Sequence, residues 1–442
     1  MEIDSTLAEL IFSRIDQQEL VDLAVSMGCV LAPIGREKPL ADFVEQWFLS
    51  NGFETRRYPV APERHNIVAF LRGQGEGKSL IFNAHMDSDR TPEENVWITP
   101  YPERSIPTAW IEDDKVFGRT VLNDRGSMAC FMIAAKALRD SGIKLAGDLI
   151  QAIVVGETDQ SPVDEFQGLE YEGNGLGTNF LLQHGVVADY ALVAETTNFS
   201  PVWVECGVAF FKVTVYGQAV YTPRTSRPEQ IEKHPNAAVK MAYLIQKFEE
   251  WARQYEKKNS RDYSNGKVIP KASINAIRGG LPYRTAITPG ICSAYIDVRF
   301  LPGKSAVEVE REFRLFIDSL GLDANVEMFN SRQGYVAENV EPLLEAVSTS
   351  YRFVTGEEPG SGSIEERSMW RDINLYNQSG IPSLTFGPTR HVMQSRAAEN
   401  KYESTTDDGG KVKYFTSDDM IRAAQTYALT AMQICGVEPD PE

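Results

Sequence analysis

Cysteine is scarce and scattered in this sequence. There are five cysteines in 442 residues, an odd number, and no two of them form a Cys-x-x-Cys pair. This usage does not suit a disulfide framework and is typical of reduced, mostly buried thiols. The sequence therefore predicts a cytoplasmic protein.

Long apolar runs and an excess of positive charge are also missing. No stretch is long enough to span a bilayer, and the amino-terminal segment MEIDSTLAELIF lacks the basic and apolar regions of a signal peptide. The 44 Lys and Arg against 62 Asp and Glu give a formal net charge of -18. This charge argues against a nucleic-acid or anionic-membrane partner.

Internal repeats and low-complexity tracts are absent, and the length is large for one hydrophobic core, so two domains are expected. Helical and strand patterns alternate along the chain, which predicts an α/β fold. Helical periods cover residues 7–27, 38–50, 128–138 and 418–435. Strand patterns cover residues 66–71, 79–83, 149–155 and 189–193, with a hairpin-like turn at 73–77 between the first two.

The apolar strand at 79–83 leads into His85-Met86-Asp87. A histidine at the carboxyl end of a buried strand suits a metal ligand, because open α/β sheets place their sites at that edge. Asp87 would then be the outer carboxylate that fixes the imidazole tautomer. Taken alone, His85 fits a satisfied structural histidine better.

Three acidic residues follow in order. Asp124 stands between a loop and a helix, where it suits either a helix N-cap or a metal ligand. Glu157 and Glu195 each follow an apolar strand. Buried carboxylates are costly without a cation or water. The four residues together therefore predict a metal site at one edge of a sheet.

The segment between Asp87 and Arg119 is long, rich in proline and charge, and free of a clear period. It is interpreted as a wall of the active site or, equally, as a surface excursion.

At these positions the sequence resembles the metallopeptidase family of aminoacylase, carboxypeptidase G and succinyl-diaminopimelate desuccinylase. His85-x-Asp87, the segment from Gly118 to Asp124, and Phe386-Gly387-Pro388 resemble family motifs. The resemblance implies that Asp124 bridges two metals, that Glu157 is the general base and that Glu195 completes the first metal site.

The resemblance also implies the architecture: a catalytic domain with a central mixed sheet flanked by helices, interrupted by a smaller α+β lid. The catalytic domain is expected at 1–206 and 334–442, and the lid at 207–333. A homo-oligomer, a dimer or higher, is the family expectation.

Three departures from the family pattern alter the expected site. Thr158 replaces the second glutamate of a Glu-Glu pair, residues 407–415 lack the final histidine ligand, and Tyr221 replaces a lid histidine. The first two losses remove the ligands of one metal and spare the other set. We therefore expect one divalent transition metal ion per subunit, on His85, Asp124 and Glu195. Mn or Zn is favoured, and Co or Fe is also compatible with this ligand set.

An alternative restores a second metal through Asp407, Asp408 or His391. In either case Glu157 would accept a proton from water and deliver it to the leaving nitrogen. Tyr221 is either an oxyanion donor or a packed lid residue. Candidate clamps for a substrate carboxylate, each of which alone better fits a surface ion pair, are Arg224, Arg284, Arg299 and Arg371.

The resemblance implies hydrolysis of a C–N bond in a small, carboxylate-bearing substrate. The specific expectation is deamination of an aminobenzoate such as 5-nitroanthranilate. An N-acyl amino-acid or dipeptide hydrolase is the close competitor. A catalytically silent relative that binds a small ligand is the alternative from another class.

Overall fold

The computed structural model describes residues 3–88, 90–98, 109–158, 160–394 and 411–438. Among these residues, no helix combines the length and the apolar character needed to cross a membrane.

Helices and strands alternate along most of the chain. The helices are α1 Ser5–Phe12, α2 Gln17–Cys29, α3 Lys38–Ser50, α4 Pro92–Ile98, α5 Gly126–Asp140, α6 Leu176–Gln183, α7 Ala237–Asn259, α8 Ala306–Ser319, α9 Glu341–Thr355, α10 Ile364–Arg367, α11 Ile373–Gln378 and α12 Ser417–Cys435. The strands are β1 Glu54–Ala61, β2 Arg64–Leu71, β3 Leu80–His85, β4 Trp110–Glu112, β5 Lys115–Phe117, β6 Leu149–Val154, β7 Tyr190–Ala194, β8 Gly207–Tyr216, β9 Arg261–Tyr263, β10 Gly266–Val268, β11 Ala272–Gly279, β12 Ile291–Phe300, β13 Ala324–Arg332, β14 Ser383–Phe386, β15 His391–Gln394 and β16 Lys411–Thr416.

The chain forms two compact units. Unit 1 contains Met1–Trp203, Ala337–Gly362 and Arg371–Glu442. Unit 2 contains Val204–Val336 and Ser363–Trp370. Each unit is a sheet packed with helices, and each has its own hydrophobic core.

Unit 1 is built on a six-stranded mixed sheet in the order β1-β2-β6-β3-β7-β14. Strands β6, β3, β7 and β14 run parallel, and β1, β2 and β6 pair antiparallel. The larger core fills the face covered by α5 and α12, and a smaller core fills the face covered by α6 and α11. Because both faces are covered, the central strands are apolar on both sides, as their continuous apolar runs predicted. The predicted α/β class is confirmed.

Unit 2 is an antiparallel sheet in the order β11-β12-β8-β13, with α7 and α8 packed on one face. Its main elements follow the order β8-α7-β11-β12-α8-β13. A capping box starts α8: the Ser305 hydroxyl accepts from the Glu308 N–H, and the Glu308 carboxylate accepts from the Ser305 N–H. The opposite face of β12 carries Asp297 and Arg299.

Two local predictions were wrong. The single helical period at 7–27 is broken after Phe12, and a second helix starts where the Asp16 carboxylate accepts from the Glu19 N–H at 2.8 Å. The turn at 73–77 does not make a hairpin, because β6 lies between β2 and β3. Strand β6 begins only at Leu149, so the residues of the turn carry no local signal of it.

Candidate metal centre

Three parallel strands of unit 1 deliver side chains to one edge of the sheet. His85 is the last residue of β3, Glu157 lies three residues beyond the end of β6, and Glu195 directly follows β7. Gly156 turns the chain before Glu157 with φ of +65°, and a Cβ there would lie 2.5 Å from an Arg64 nitrogen. Only glycine fits that turn.

Asp124 enters the same region from a different element. It lies in the irregular turn Val121–Arg125 before α5, where Asn123 and Asp124 have non-helical backbone angles. Asp124 is fully buried, whereas Asn123 is exposed. Asp124 does not act as a helix N-cap, because neither of its carboxylate oxygens accepts a hydrogen bond within the described part of the chain.

His85, Asp124 and Glu195 converge, with ligand atoms that all lie within 4.8 Å of one another. His85 Nε2 is 3.0 Å from Asp124 Oδ2 and 3.6 Å from Glu157 Oε2. Ligands bound about 2.1 Å from a single ion lie about 3–4 Å apart. Apart from His85 Nε2, no described group satisfies the Asp124 oxygens. The spacing and these oxygens fit a divalent cation, and within the described residues His85, Asp124 and Glu195 form the group with this geometry.

Asp87 accepts hydrogen bonds from Glu157 and Thr158. Its Oδ1 accepts from the Glu157 N–H at 3.1 Å, and its Oδ2 accepts from the Thr158 N–H at 2.9 Å and the Thr158 hydroxyl at 2.7 Å. Oδ1 also lies 3.8 Å from His85 Nδ1. Asp87 is thus on the side of the imidazole away from Asp124.

Burial and crowded charge dominate the electrostatics. Burial raises the pKa of Glu157 well above its ordinary value, and Asp372, Asp87 and Asp124 raise it further against the opposing effect of His85. Burial opposes the charged form of His85, but Asp124, Glu157 and Asp87 raise its pKa well above 6.5. In the metal-free protein, protons thus compensate charge that a cation would otherwise neutralise.

Arg371 is the basic partner of this acidic group. Its Nε lies 3.2 Å from Glu195 Oε2, and both side chains are almost fully buried. Burial and Asp124 raise the pKa of Glu195, and Arg371 lowers it. The Gly387 backbone passes so close to Glu195 that a Cβ would meet its carbonyl oxygen at 2.0 Å.

A second buried network, which the sequence analysis missed, lies beside Glu157. The Thr178 hydroxyl donates to Asp372 Oδ2 at 2.5 Å, and Asn83 Nδ2 donates to Thr178 at 3.2 Å. Burial raises the pKa of Asp372 to about 7, and Asp87 and Asp124 add to the effect. Asp372 follows a tryptophan and an arginine, not an apolar strand, so no pattern marked it.

The other predicted site residues lie elsewhere. Tyr221, Arg224 and Arg284 are exposed residues of unit 2, and Arg299 forms a two-point contact with Asp297 in the same unit. Their predicted substrate roles remain predictions.

His391, the described candidate for a second metal, contacts Asp419 at 2.5 Å and stacks on Tyr414. It is not part of the His85 group within the described residues. Asp407 and Asp408 lie outside the described residues.

Comparison with known proteins decides the family. The sequence model described as peptidase family M20/M25/M40 matches residues 81–412, a span that includes the whole His85, Asp124 and Glu195 group. The chain belongs to peptidase family M20/M25/M40. The predicted resemblance is confirmed.

Two curated relatives and one solved structure are similar to this M20 protein over most of its length. N-formyl-4-amino-5-aminomethyl-2-methylpyrimidine deformylase of Halalkalibacterium halodurans is 26% identical over 412 residues, covering 87% of this chain and 90% of that protein. The Bacillus subtilis protein of the same name is 24% identical over 84% of this chain and 87% of its own length. A tripeptidase from Staphylococcus aureus superposes with a TM-score of 0.66 at 14% identity, over 95% of this chain and 99% of that one.

Family membership confirms a metal-dependent hydrolase of C–N bonds, because M20 enzymes hydrolyse amides and peptides with divalent metals. Deamination of an aminobenzoate gains no support from these relatives.

Proposed function

We propose that this M20 protein hydrolyses the amide bond of a small N-acylated amine. His85, Asp124 and Glu195 would hold one divalent ion, and Glu157 would be the general base. The observation that carries the proposal is the buried convergence of these three ligands with a fourth acid 3.6 Å from His85 Nε2. A protein that only binds a ligand has no need of that fourth acid.

Each residue has a defined task in this reaction. When bound, a divalent metal polarises the scissile carbonyl and lowers the pKa of water. Glu157 takes a proton from the attacking water and returns it to the nitrogen that leaves. Asp87 places a carboxylate behind the His85 ring, 3.8 Å from Nδ1, and Arg371 contacts Glu195. Glu157, 9% exposed, is the most accessible of the four, which suits a group that exchanges protons with a substrate.

The substrate class follows from the deformylase relatives. Their printed name describes removal of a formyl group from an aminomethylpyrimidine, and they match over most of this chain. We therefore place first a short acyl group, formyl or acetyl, on a small heteroaromatic or alkyl amine.

An N-acyl amino-acid or dipeptide hydrolase is the second candidate. The Staphylococcus tripeptidase shares the fold, but at 14% identity it carries no substrate argument. Arg371, a predicted clamp for a substrate carboxylate, is already in contact with Glu195. A substrate carboxylate would therefore need a partner other than Arg371.

The test is a panel assay with Glu157→Gln. The protein, loaded with Mn or Zn, is given N-formyl and N-acetyl amines, N-acyl amino acids, dipeptides and aminobenzoates, and released amine, acid or ammonia is measured. We expect the short N-acyl amines to be cleaved fastest. Glu157→Gln should lower turnover about 10²–10⁴-fold while metal content stays constant.

Glu345→Gln, an exposed glutamate on α9, is the matched control and should keep full turnover. Full turnover in Glu157→Gln would refute the general base. Ammonia release from an aminobenzoate alone would favour the deamination reaction, and ligand binding without any turnover would favour the silent relative.

The metal ion, the location and the oligomeric state are also proposals. One ion per subunit, Mn or Zn, would be checked by elemental analysis after loading with excess metal. A cytoplasmic location agrees with the five cysteines, all of which are free thiols in the structure. A homo-oligomer would be checked by light scattering.

A further inference from the structure

The carboxylate of Asp87 is fixed almost entirely by two consecutive residues, Glu157 and Thr158. Their backbone N–H groups donate at 3.1 and 2.9 Å, and the Thr158 hydroxyl donates at 2.7 Å. Asp87 is 1% exposed, so water does not compete for these oxygens. The carboxylate has little rotational freedom as a result.

Asp87 and Thr158 lie beyond the carboxyl ends of two neighbouring strands. Strands β3 and β6 are parallel, with His85 opposite Val154. The hydroxyl contact therefore ties the turn that carries Glu157 to the residue two positions after His85. The Thr158 side chain therefore links the segment of the proposed general base with the segment of the proposed metal-binding histidine.

The direction of the hydroxyl decides what Thr158 does. Its proton is used by Asp87 Oδ2, so the group serves the carboxylate as a donor. With Oδ2 held in this way, Oδ1 is the oxygen that faces His85 Nδ1, at 3.8 Å. At this distance Oδ1 lies beyond hydrogen-bond reach of Nδ1, which has no hydrogen-bond partner within the described residues. Oδ1 instead places a fixed negative charge behind the imidazole, on the side away from Asp124.

We propose that Thr158 is a positioning residue: its hydroxyl fixes the Asp87 carboxylate behind His85, and the fixed carboxylate supports His85 as a metal ligand. The proposal rests on the proposed function, because it takes His85 as a metal ligand. It also explains why this position holds a hydroxyl. Valine has the same shape without the donor, and glutamate would place a second carboxylate against Asp87.

The test compares Thr158→Val with Thr158→Ser. Metal affinity is measured by competition with a chromophoric chelator for Zn and Mn. We expect Thr158→Val to weaken metal binding about 10–100-fold. Thr158→Ser, which keeps the hydroxyl donor, should restore the affinity.

Thr426→Val is the matched control. Thr426 is a fully buried threonine of unit 1, whose hydroxyl donates to the Arg422 carbonyl within α12 at 2.7 Å. Thr426→Val should leave metal affinity unchanged. An equal loss of affinity in Thr426→Val would overturn the specific role, as would wild-type affinity in Thr158→Val.

Metal affinity is measured without turnover, so the two proposals fail separately. If Glu157→Gln retains activity but Thr158→Val loses metal affinity, the hydrolytic role of Glu157 fails and the positioning role stands. If Thr158→Val loses turnover with metal affinity intact, the positioning role fails and the hydrolase stands.

Discussion

At the scale of single residues, Arg371 contacts a different group from the one that the sequence predicted for it. Arg371 was predicted as a clamp for a substrate carboxylate, and its Nε lies 3.2 Å from Glu195 Oε2 with both side chains buried. Removing one partner of a buried ion pair strongly destabilises the folded state, because the remaining charge is left uncompensated.

Arg371→Gln tests which task dominates. If Arg371 holds Glu195, we expect the metal-free protein to lose about 3 kcal/mol or more of unfolding free energy. Urea unfolding in the presence of a chelator measures it. Arg352→Gln removes an exposed pair with Glu358 and should leave the urea midpoint unchanged. A rise in KM without any loss of stability would support the clamp and contradict the holding role.

Asp372 gives the site a pH dependence of stated sign. Its folded pKa of about 7 is above its ordinary value of 3.8. The folded state therefore binds more protons than the unfolded state between these values, so stability falls as pH rises from about 3.8 to about 7 and is constant above. Burial raises the pKa values of Glu157 and Glu195 as well, with the same sign.

We expect the metal-free protein to be less stable at pH 7 than at pH 5, and Asp372→Asn to show a smaller difference. Asparagine keeps an oxygen that can accept from Thr178 but does not titrate. Urea unfolding at the two pH values with a chelator present measures the effect. Equal stability at both pH values in the wild type would contradict the prediction.

Most residues of the proposed metal site were predictable because each follows an apolar strand. The carboxyl ends of neighbouring parallel strands lie at the same edge of the sheet, so these residues lie close together. His85, Glu157 and Glu195 are of this kind. Asp372 and the Asp87–Thr158 contact were not predictable. They depend on the register between strands distant in sequence and on a side-chain rotamer, neither of which leaves a periodic signal.

At the scale of elements, one buried arginine connects the strand that carries His85 with the helix that follows Asp124. Arg125 is fully buried and donates to the carbonyls of Met86, Met27 and Val30 at 2.8–3.2 Å. It thereby joins the end of β3, the end of α2 and the start of α5.

Arg125→Met should leave these three carbonyls short of donors, each at a cost of about 1–3 kcal/mol. We expect a loss of unfolding free energy on the order of 3 kcal/mol and weaker metal binding, because Asp124 is the adjacent residue. Urea unfolding and chelator competition measure both. Arg56→Met on the exposed face of β1 is the control. A loss no larger than in the control would show that the carbonyls find other donors.

The periodicity of the sequence predicts which segments are helices and which are strands, but it does not predict the order of the strands in the sheet. Residues 38–50 form α3 over the predicted range, because the apolar period and the terminal glycine agree. The insertion of β6 between β2 and β3 is set by sheet-wide packing, which local residues do not record. The division at 7–27 depends on Asp16, a cap hidden inside a continuous apolar period.

At the scale of the whole molecule, the proposed metal ligands all belong to unit 1, whereas unit 2 has its own core. A ligand that binds only the native state stabilises it by about 4 kcal/mol at 1,000 times its dissociation constant. Metal should therefore raise the calorimetric transition of unit 1 and leave that of unit 2 in place. Scans with and without chelator test this. One transition that shifts as a whole would show that both cores melt together.

The interrupted layout of unit 1 has a consequence for synthesis. Helix α12, which packs against α5 and α9, is among the final described elements, whereas unit 2 is almost complete at Val336. On the ribosome the inserted unit can fold while its host still lacks an essential wall, since chains emerge from the amino terminus. The nascent protein must therefore keep α5 and the edge that carries His85 from aggregating for the time needed to translate the last hundred or so residues.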